Sequence, residues 1–300
     1  MISKPVRTGL AIALVASIAA CGDGSGGTFT STPNPPPPAS YTKLVDMTGN
    51  RTFQTGGVQY NVSASGFTGG VTQAFGSGVV VNYIAASDTY QLTAPDGSSQ
   101  SFAPADVVSQ PSPNSIQMVK TNGSTRDVFT LISPTNNGVS LSYMVVGAWL
   151  RTNTANNTSV GRIAVGGAPT LASDMPKTGT GLYTVGIGGS ANANGTAYNL
   201  AGPSGATFSA NFATGAITSN LTLAGTPLSS GTTVTQFGTF SGTGTIAANS
   251  AGFSGTLSGT NANGLFSGAF FGPQALEMGY GYYLNGTTFS AAGVVTGVKN

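Results

Sequence analysis

Few side chains in this sequence could carry out chemistry. It contains one cysteine, Cys21, no histidine, one glutamate, Glu277, and seven aspartates. Histidine is the commonest general base and metal ligand, and a free thiol is a common nucleophile and zinc ligand. No serine lies in a Gly-x-Ser-x-Gly nucleophile elbow, and no lysine follows a glycine as in a phosphate-binding loop. We therefore expect no catalytic residues, no metal site and no enzyme; a carboxylate pair among the aspartates is the one alternative.

Cys21 ends a short apolar segment with the layout of a secretory signal peptide. The apolar run from Gly9 to Ala20 is shorter than the roughly twenty residues of a membrane-spanning helix. Its last residues, Ile18-Ala19-Ala20-Cys21, follow the bacterial lipobox pattern. The sequence predicts a lipoprotein signal peptide over 1–20, lipidation of Cys21 and anchoring through acyl chains, palmitate among them. Glycine, not aspartate, follows Cys21, which favours the outer membrane.

Charge is sparse and balanced. Charged residues make up 6% of the chain, compared with about a quarter in ordinary soluble domains. Apart from residues 1–20, which include Lys4 and Arg7, the chain has eight basic and eight acidic residues. It has no basic stripe for nucleic acid and no polybasic patch for anionic lipid. We expect no nucleic-acid partner.

After Cys21 the sequence first predicts a linker and then, from Tyr41 onward, a series of strands. Residues 21–40 are rich in Gly, Thr and Pro and predict a tether, flexible first and stiffer at the prolines. From Tyr41 onward, apolar residues alternate with Ser, Thr and Asn, as in 206–212, 217–223 and 253–259. This alternation is typical of strands with one buried face. Asn-Gly pairs follow at 194–195, 263–264 and 285–286 and predict tight hairpin turns.

Two regions of the chain differ in the length, spacing and glycine content of their predicted strands. Residues 41–155 hold longer aliphatic strands, whereas residues 178–299 hold shorter, evenly spaced strands with glycines inside them. That spacing predicts a soluble, eight-stranded antiparallel β-barrel, since closure stabilises strands that glycine weakens. A membrane-spanning barrel is the rival interpretation. It is disfavoured because most of these strands carry Ser, Thr or Asn on one face. The fold class is all-β.

Three motifs in the second half resemble one family. They are Val146-Gly147-Ala148-Trp149, Met175-Pro176-Lys177-Thr178-Gly179-Thr180-Gly181-Leu182-Tyr183, and Gly268-Ala269-Phe270-Phe271-Gly272-Pro273-Gln274-Ala275-Leu276-Glu277-Met278-Gly279. In this order they resemble motifs of transferrin-binding protein B. The resemblance covers most of 140–300 and implies a handle-like β domain over 41–155 and the barrel domain over 156–300. The chain has length for one such lobe, where transferrin-binding protein B has two; Thr178, Gly181 and Tyr280 depart from the family pattern.

The resemblance singles out residues that we interpret as structural. They are Trp149, Pro176, Gly179, Tyr183, Phe270, Phe271, Gly272, Pro273, Glu277 and Gly279. Gly272-Pro273 is expected to form a turn, and Glu277 to accept hydrogen bonds from a neighbouring loop; a functional Glu277 is the alternative. Phe270 and Phe271 should point to opposite faces, so that at most one anchors the core. Trp149 is expected to lie between the two domains.

Members of this family are surface lipoproteins that capture a ligand outside the cell. The resemblance implies an outer-membrane protein, facing the exterior, that binds an iron or haem source or another protein. Its partner would be an outer-membrane receptor of the TonB-dependent type. An adhesive or structural surface lipoprotein without a transported ligand is the alternative. We expect no cofactor; haem as a ligand would need Met278, Tyr280, Tyr282 or Tyr283 as its axial ligand, since histidine is absent.

Overall fold

The computed structural model describes residues 39–112, 114–229 and 232–300. Residues Ala39–Asn300 belong to one compact unit. The predictions for the signal peptide over 1–20, for the lipidation of Cys21 and for most of the tether over 21–40 lie outside the described residues. In the part of the chain that is described, we find no helix with the length and apolar character needed to cross a membrane.

The described residues are mostly strands. Three single-turn 3₁₀ helices also occur, at Leu44–Asp46, Pro104–Asp106 and Pro273–Ala275. The strands, in chain order, are β1 (Arg51–Phe53), β2 (Thr55–Ser63), β3 (Gly66–Gln73), β4 (Val80–Ile84), β5 (Thr89–Thr93), β6 (Ser99–Phe102), β7 (Val107–Ser112), β8 (Ser115–Asn122), β9 (Thr125–Ile132), β10 (Thr135–Asn136), β11 (Val139–Ser140), β12 (Met144–Asn153), β13 (Thr158–Gly167), β14 (Thr180–Ala193), β15 (Thr196–Asn199), β16 (Gly205–Asn211), β17 (Ala216–Pro227), β18 (Thr235–Ile246), β19 (Gly252–Ser258), β20 (Asn263–Phe271), β21 (Glu277–Asn285) and β22 (Phe289–Lys299). The predicted all-β fold is confirmed.

The alternation seen in the sequence determines which side chains are buried. In β17, Ile217, Leu221 and Leu223 are at most 1% exposed, whereas Thr218 and Thr222 between them face solvent. Successive side chains of a strand point to opposite faces, so this strand has one apolar face and one polar face. The apolar face turns into a core shared by β14 to β22.

Strands β14 to β22 form one antiparallel sheet. The pairing leads from β14 through β16, β17, β18, β19, β20, β21 and β22 and then back to β14, which gives a ring with eight strand positions. The long strand β14 pairs with β16 over 180–183 and with β15 over 190–193, so β15 and β16 share one position. On its other side β14 pairs with β22, from Tyr183 opposite Lys299 to Ala193 opposite Phe289. We call residues 180–299 the barrel.

The first part of the chain forms two main sheets, which we call the handle. Four strands pair in the order β1-β4-β5-β6, and seven in the order β3-β2-β13-β12-β9-β8-β7. A short pair, β10-β11, stands apart from both. One face of the seven-stranded sheet packs on the four-stranded sheet, with Phe102 of β6 against Phe129 of β9. The other face packs on the barrel, where Val58 and Ile163 cluster with Tyr283 and Ala292.

Strand β13, in the middle of the seven-stranded sheet, has buried side chains on both of its faces. In β13, Arg162 and Ala164 face the four-stranded sheet, and Ile163 and Val165 face the barrel. Because β13 pairs with β2 and β12, residues 158–167 belong to the handle sheet. The chain therefore passes from the handle sheet to the barrel sheet between Gly167 and Thr180, not at the predicted boundary of 155/156.

Of the three predicted Asn-Gly hairpin turns, one forms as expected. Asn194 and Gly195 both have positive φ, 51° and 81°, and join β14 to β15 with a two-residue turn. Asn263-Gly264 instead begins β20, so this prediction is wrong. Glycine is needed there for another reason, because a Cβ at Gly264 would collide with the backbone oxygen of Tyr283 on the neighbouring strand. Asn285 ends β21, and Gly286 follows in the loop.

Candidate functional site

Glu277 joins the barrel to the handle. Its carboxylate accepts hydrogen bonds from the backbone N–H groups of Ser142, at 2.6 Å, and Tyr143, at 2.9 Å, just before β12. The residue is 3% exposed. Burial raises the pKa of the Glu277 carboxyl, and the backbone hydrogen bonds oppose the shift without reversing it. This is the arrangement that a structural role for Glu277 requires.

The neighbouring motif residues form the corner between β20 and β21. Gly272 has a φ of 70°, which glycine adopts without strain, and Pro273 starts the 3₁₀ turn that follows. The hydroxyl of Tyr183 donates a hydrogen bond of 2.6 Å to the carbonyl oxygen of Ala275 in this turn. Gly279 lies next in β21, where a Cβ would meet the side chain of Met144 in the handle. The corner therefore fixes the barrel against the handle.

The other matching segment leads into the first barrel strand. Met175 is buried in the barrel core, Pro176 is half-buried and Gly179 has a φ of 79°. Strand β14 starts directly afterwards, and Tyr183 packs edge-on against Phe208 at 5.4 Å. These residues bring the chain from the handle into the barrel interior.

Phe270 and Phe271 both lie in apolar clusters, on opposite faces of β20. Phe270 packs inside the barrel, with its ring 4.9 Å from that of Phe253. Phe271 points to the handle and packs against Phe75, at 6.0 Å. The expectation of opposite faces is correct, but the expectation that at most one is a core anchor is wrong. The reason is that the handle covers the outer face of this strand.

The four residues considered as haem ligands are also packed. Met278, Tyr280 and Tyr282 are fully buried inside the barrel. The hydroxyls of Tyr280 and Ser219 share a hydrogen bond of 2.7 Å. Tyr283 points the other way and stacks on Tyr60 of the handle, at 6.1 Å between ring centroids. The structure thus brings none of the four side chains to an open surface.

Trp149 is not between the two domains, as the sequence suggested. It lies on the far face of the seven-stranded sheet, where it belongs to the cluster between the two handle sheets. Period-two alternation explains the difference, because Met144 and Val146 of β12 take the barrel-facing positions and Trp149 takes an opposite one. The same face of the sheet carries the candidate site.

This site is a cavity of about 360 Å³ between the two handle sheets. Its walls are apolar: Leu92 comes from the four-stranded sheet, and Phe129, Trp149 and Ala164 come from the seven-stranded sheet. Val45, at the rim, is 85% exposed, whereas Phe129 and Trp149 are each 2% exposed. Small-molecule sites usually measure about 300–1,000 Å³ and combine apolar walls with a few polar groups.

The first polar group beside the cavity is centred on Asp127. This carboxylate is fully buried and accepts hydrogen bonds from Trp149 Nε1 at 2.8 Å and from Arg151 Nε at 2.8 Å. Gln100 Nε2, on the four-stranded sheet, donates a third of 2.8 Å. Arg151 also donates to the backbone oxygen of Ser99, at 2.7 Å. Both carboxylate oxygens of Asp127 thus accept hydrogen bonds, and the one from Gln100 joins the two sheets.

The second polar group is Arg162, which lines the cavity and is 2% exposed. Its Nε donates to Gln59 at 2.8 Å, and its Nη2 donates to Ser98 at 3.1 Å and forms an ion pair with Asp96. Nη1 is buried and finds no hydrogen-bond partner anywhere in the described ranges. A buried polar group without a partner costs about 1–3 kcal/mol. Among the described residues of the cavity wall, Arg162 is therefore the one with a buried side-chain nitrogen that lacks a hydrogen-bond partner.

Burial and neighbouring charges shift the pKa values of three groups in and beside the cavity wall. Burial lowers the pKa of the Arg162 guanidinium, and the adjacent Asp96 opposes that shift. Burial also acts on Asp96, but hydrogen bonds from Ser98 and the charge of Arg162 outweigh it and lower the pKa of this carboxyl. Burial raises the pKa of Tyr90, another lining residue, to about 12. At neutral pH the lining therefore contains a cationic Arg162 and a neutral Tyr90.

This cluster is not apparent from the sequence because its charged residues are far apart in the chain. Pairing brings them together, since Trp149 lies opposite both Phe129 and Arg162, and Asp127 lies opposite Arg151. A signal existed in the spacing. Asp127, Arg151 and Arg162 each stand two residues from an apolar residue that is buried on the same face. In a chain with only 6% charged residues, a charge at such a position indicates a buried partner.

The model of a family described as the C-lobe and N-lobe β-barrels of transferrin-binding protein B matches residues 146–299. No curated protein sequence matches the chain.

Solved structures with a similar fold include transferrin-binding protein B from serogroup B Neisseria meningitidis, at 20% identity and a TM-score of 0.44. The match covers 81% of this chain and 43% of that one. A mutant of transferrin-binding protein B from Haemophilus parasuis matches at 15% identity and a TM-score of 0.44, over 81% of this chain and 45% of that one. The chain thus spans less than half the length of both structures.

A shorter structure is also similar. The haemoglobin receptor HpuA from Kingella denitrificans matches at 20% identity and a TM-score of 0.40, over 84% of this chain and 86% of that one.

Proposed function

The chain belongs to the family of transferrin-binding protein B β-barrels, and we propose that it is a surface lipoprotein that captures a ligand outside the cell. The observation that carries the proposal is the family match over residues 146–299, which spans the whole barrel and the two handle strands beside it. In this role the protein binds an iron or haem source, or another extracellular protein. It presents that ligand to an outer-membrane receptor of the TonB-dependent type.

Two further features support capture at a membrane surface. The lipobox at Ile18-Ala19-Ala20-Cys21 provides an acyl anchor, and the proline-rich stretch after it provides a spacer between anchor and domain. The barrel interior is filled by its own aromatic side chains, so we place capture of the ligand on the outer surfaces of the barrel and the handle. Binding of this kind requires no turnover, in keeping with a chain that contains no histidine.

The family indicates which class of ligand to expect. The matching family takes its name from transferrin binding, and one similar structure is a haemoglobin receptor. The four side chains that could serve as axial ligands of haem are packed in the barrel interior or where the barrel meets the handle; they are Met278, Tyr280, Tyr282 and Tyr283. We therefore favour an iron- or haem-carrying protein over free haem.

Protease treatment of intact cells tests the surface location. We expect added protease to remove the domain from intact cells, as detected by a tag placed after Asn300, while a periplasmic marker stays whole. Permeabilised cells provide the control in which both proteins are degraded. Full protection in intact cells would place the protein in the periplasm and contradict surface capture.

A deletion strain tests the capture itself. We expect loss of growth when the only iron source is one host protein, with growth on inorganic iron unchanged. Growth that is normal on every iron source, together with altered cell adhesion, would replace capture by an adhesive or structural role.

A further inference from the structure

We propose that the handle cavity is a binding site for an amphipathic small molecule with an aliphatic body and a carboxylate head, and that the head is bound by Arg162. Capture of a protein by the outer surfaces does not require such a site. The proposal therefore goes beyond the proposed function and does not depend on it.

The shape and lining of the cavity define the body of the ligand. Its volume of about 360 Å³ lies between two sheets, and most of the side chains that line it are aliphatic or aromatic. Burial of apolar surface favours a ligand body by about 25 cal/mol for each Å² removed from water. Leu44 and Val45 of the first 3₁₀ helix line the rim, and Val45 is 85% exposed. The cavity can therefore be reached from solvent at this end.

The charges define the head. The lining residues include two arginines, Arg51 at the exposed end and Arg162 at the buried end, and no acidic residue. Arg162 has used Nε and Nη2 on Gln59, Ser98 and Asp96, which leaves Nη1 as a buried donor without a partner in the described residues. A carboxylate oxygen is the acceptor that completes a guanidinium most strongly.

The neighbours of Arg162 keep this donor in place. Its guanidinium carbon lies 4.8 Å from the centre of the Trp149 ring, a cation–π distance. Trp149 is itself held by Asp127 through a hydrogen bond of 2.8 Å. The guanidinium is thus held by the Trp149 ring and by its own hydrogen bonds to Gln59 and Ser98 before any ligand arrives. This order reduces the entropy lost on binding.

Trp149 is also the only tryptophan in the chain, and it lines the cavity. Its fluorescence therefore reports on this site directly. The experiment uses the full chain with the substitution Cys21→Ser. This change prevents the predicted acylation, so that the protein can be studied without detergent. Dodecanoate is the probe and dodecanol is its uncharged counterpart, both kept below the concentrations at which they aggregate.

We expect dodecanoate to change the Trp149 emission saturably and to bind about ten-fold or more tightly than dodecanol, the effect of one hydrogen bond to a charged group. Arg162→Gln should reduce this preference to near equality while dodecanol binding stays similar. A general folding defect would weaken both probes together, so the ratio isolates the head-group contact.

Filling the cavity tests the location. Ala164→Leu places a larger side chain in the wall, and Val81→Phe does the same from the four-stranded sheet, in case one of the two variants fails to fold. Both should abolish the response to dodecanoate. Ala216→Leu, the same change at an exposed position of β17, is the matched control and should bind as the parent chain does.

Three results would overturn the proposal. They are no saturable change of Trp149 emission in the folded parent chain, equal affinity for dodecanoate and dodecanol, and full dodecanoate binding by both folded cavity-filling variants.

Discussion

The barrel and the handle fill their interiors in different ways. Inside the barrel, the ring of Phe253 lies 5.2 Å from that of Phe208, 4.9 Å from that of Phe270 and 6.1 Å from that of Tyr280. In the handle, two sheets enclose a cavity of about 360 Å³, with a charged cluster around Trp149 beside it. The side chains inside the barrel pack against one another, whereas the handle contains a cavity with buried charged side chains beside it.

This difference indicates how stability and binding are divided. Densely packed aromatic side chains stabilise a fold but leave no space for a ligand. A cavity and a guanidinium with one unpaired nitrogen, Arg162 Nη1, lower stability, and such costs are typical of binding sites. We infer that the barrel is the structural support of the molecule and that the handle contains its small-molecule site. The following changes test that division, from the largest expected effect to the smallest.

Phe270→Ala should cause the largest loss of stability. The side chain is fully buried and contacts the rings of Tyr183, Phe208, Phe212 and Phe253. Truncation of such a residue costs about 3–5 kcal/mol. Phe53→Ala, at a half-buried position in the cavity wall, should cost much less. Chemical denaturation measures both, and equal losses would contradict the difference in packing between barrel and handle.

Asp127→Asn should have the next largest effect, this time in the handle. The substitution removes the buried charge that pairs with Arg151 and weakens the hydrogen bond to Trp149. Breaking a buried ion pair costs about 3–5 kcal/mol, and we expect about 3 because Arg151 is partly exposed. Denaturation followed by Trp149 emission measures it. Asp46→Asn, at an exposed position, is the control with little change; a similar loss there would rule out a specific role for Asp127.

Glu277→Gln should have a smaller effect that depends on pH. Because burial raises the pKa of Glu277 in the folded state, its contribution to stability is full below its unfolded pKa of about 4.3 and is lost as the pH rises through the folded value. The free energy of unfolding of the parent chain, minus that of Glu277→Gln, should therefore decrease between pH 4 and pH 7.

Denaturation curves at several pH values measure this difference. An increase with pH would contradict the raised pKa. It would mean that the hydrogen bonds from Ser142 and Tyr143 outweigh the burial of the charge.

Tyr280→Phe should have the smallest effect. It removes one hydroxyl from the barrel interior, and Ser219 keeps its other hydrogen bond, to the backbone oxygen of Thr207 at 2.9 Å. The expected loss is about 1 kcal/mol, the usual contribution of a neutral hydrogen bond. Capture of the extracellular ligand should be unchanged. A selective loss of ligand binding with normal stability would instead give this tyrosine a direct role in binding.

The sequence predicted the strands and the barrel better than the handle site. Alternation of Ile217, Leu221 and Leu223 with threonines is local, so it indicates a buried face without knowledge of the partner strand. The motif around Glu277 was predictable for the same reason, since a corner is built from adjacent residues.

The handle site depends instead on register. Asp127, Trp149 and Arg162 become neighbours only through the pairing of β9, β12 and β13, and a shift of one residue would turn each of them to the other face. The domain boundary was missed for a related reason, because β13 resembles a barrel strand in composition but pairs in the handle.

Affinity capture from intact, mildly crosslinked cells, with a tag after Asn300, tests the proposed function most directly. We predict recovery of an outer-membrane receptor together with an iron- or haem-carrying protein from the medium. The same tag on a strain that lacks the receptor should recover the carried protein alone. Recovery of only envelope or matrix components, with the protein folded and exposed, would contradict capture and indicate an adhesive or structural role.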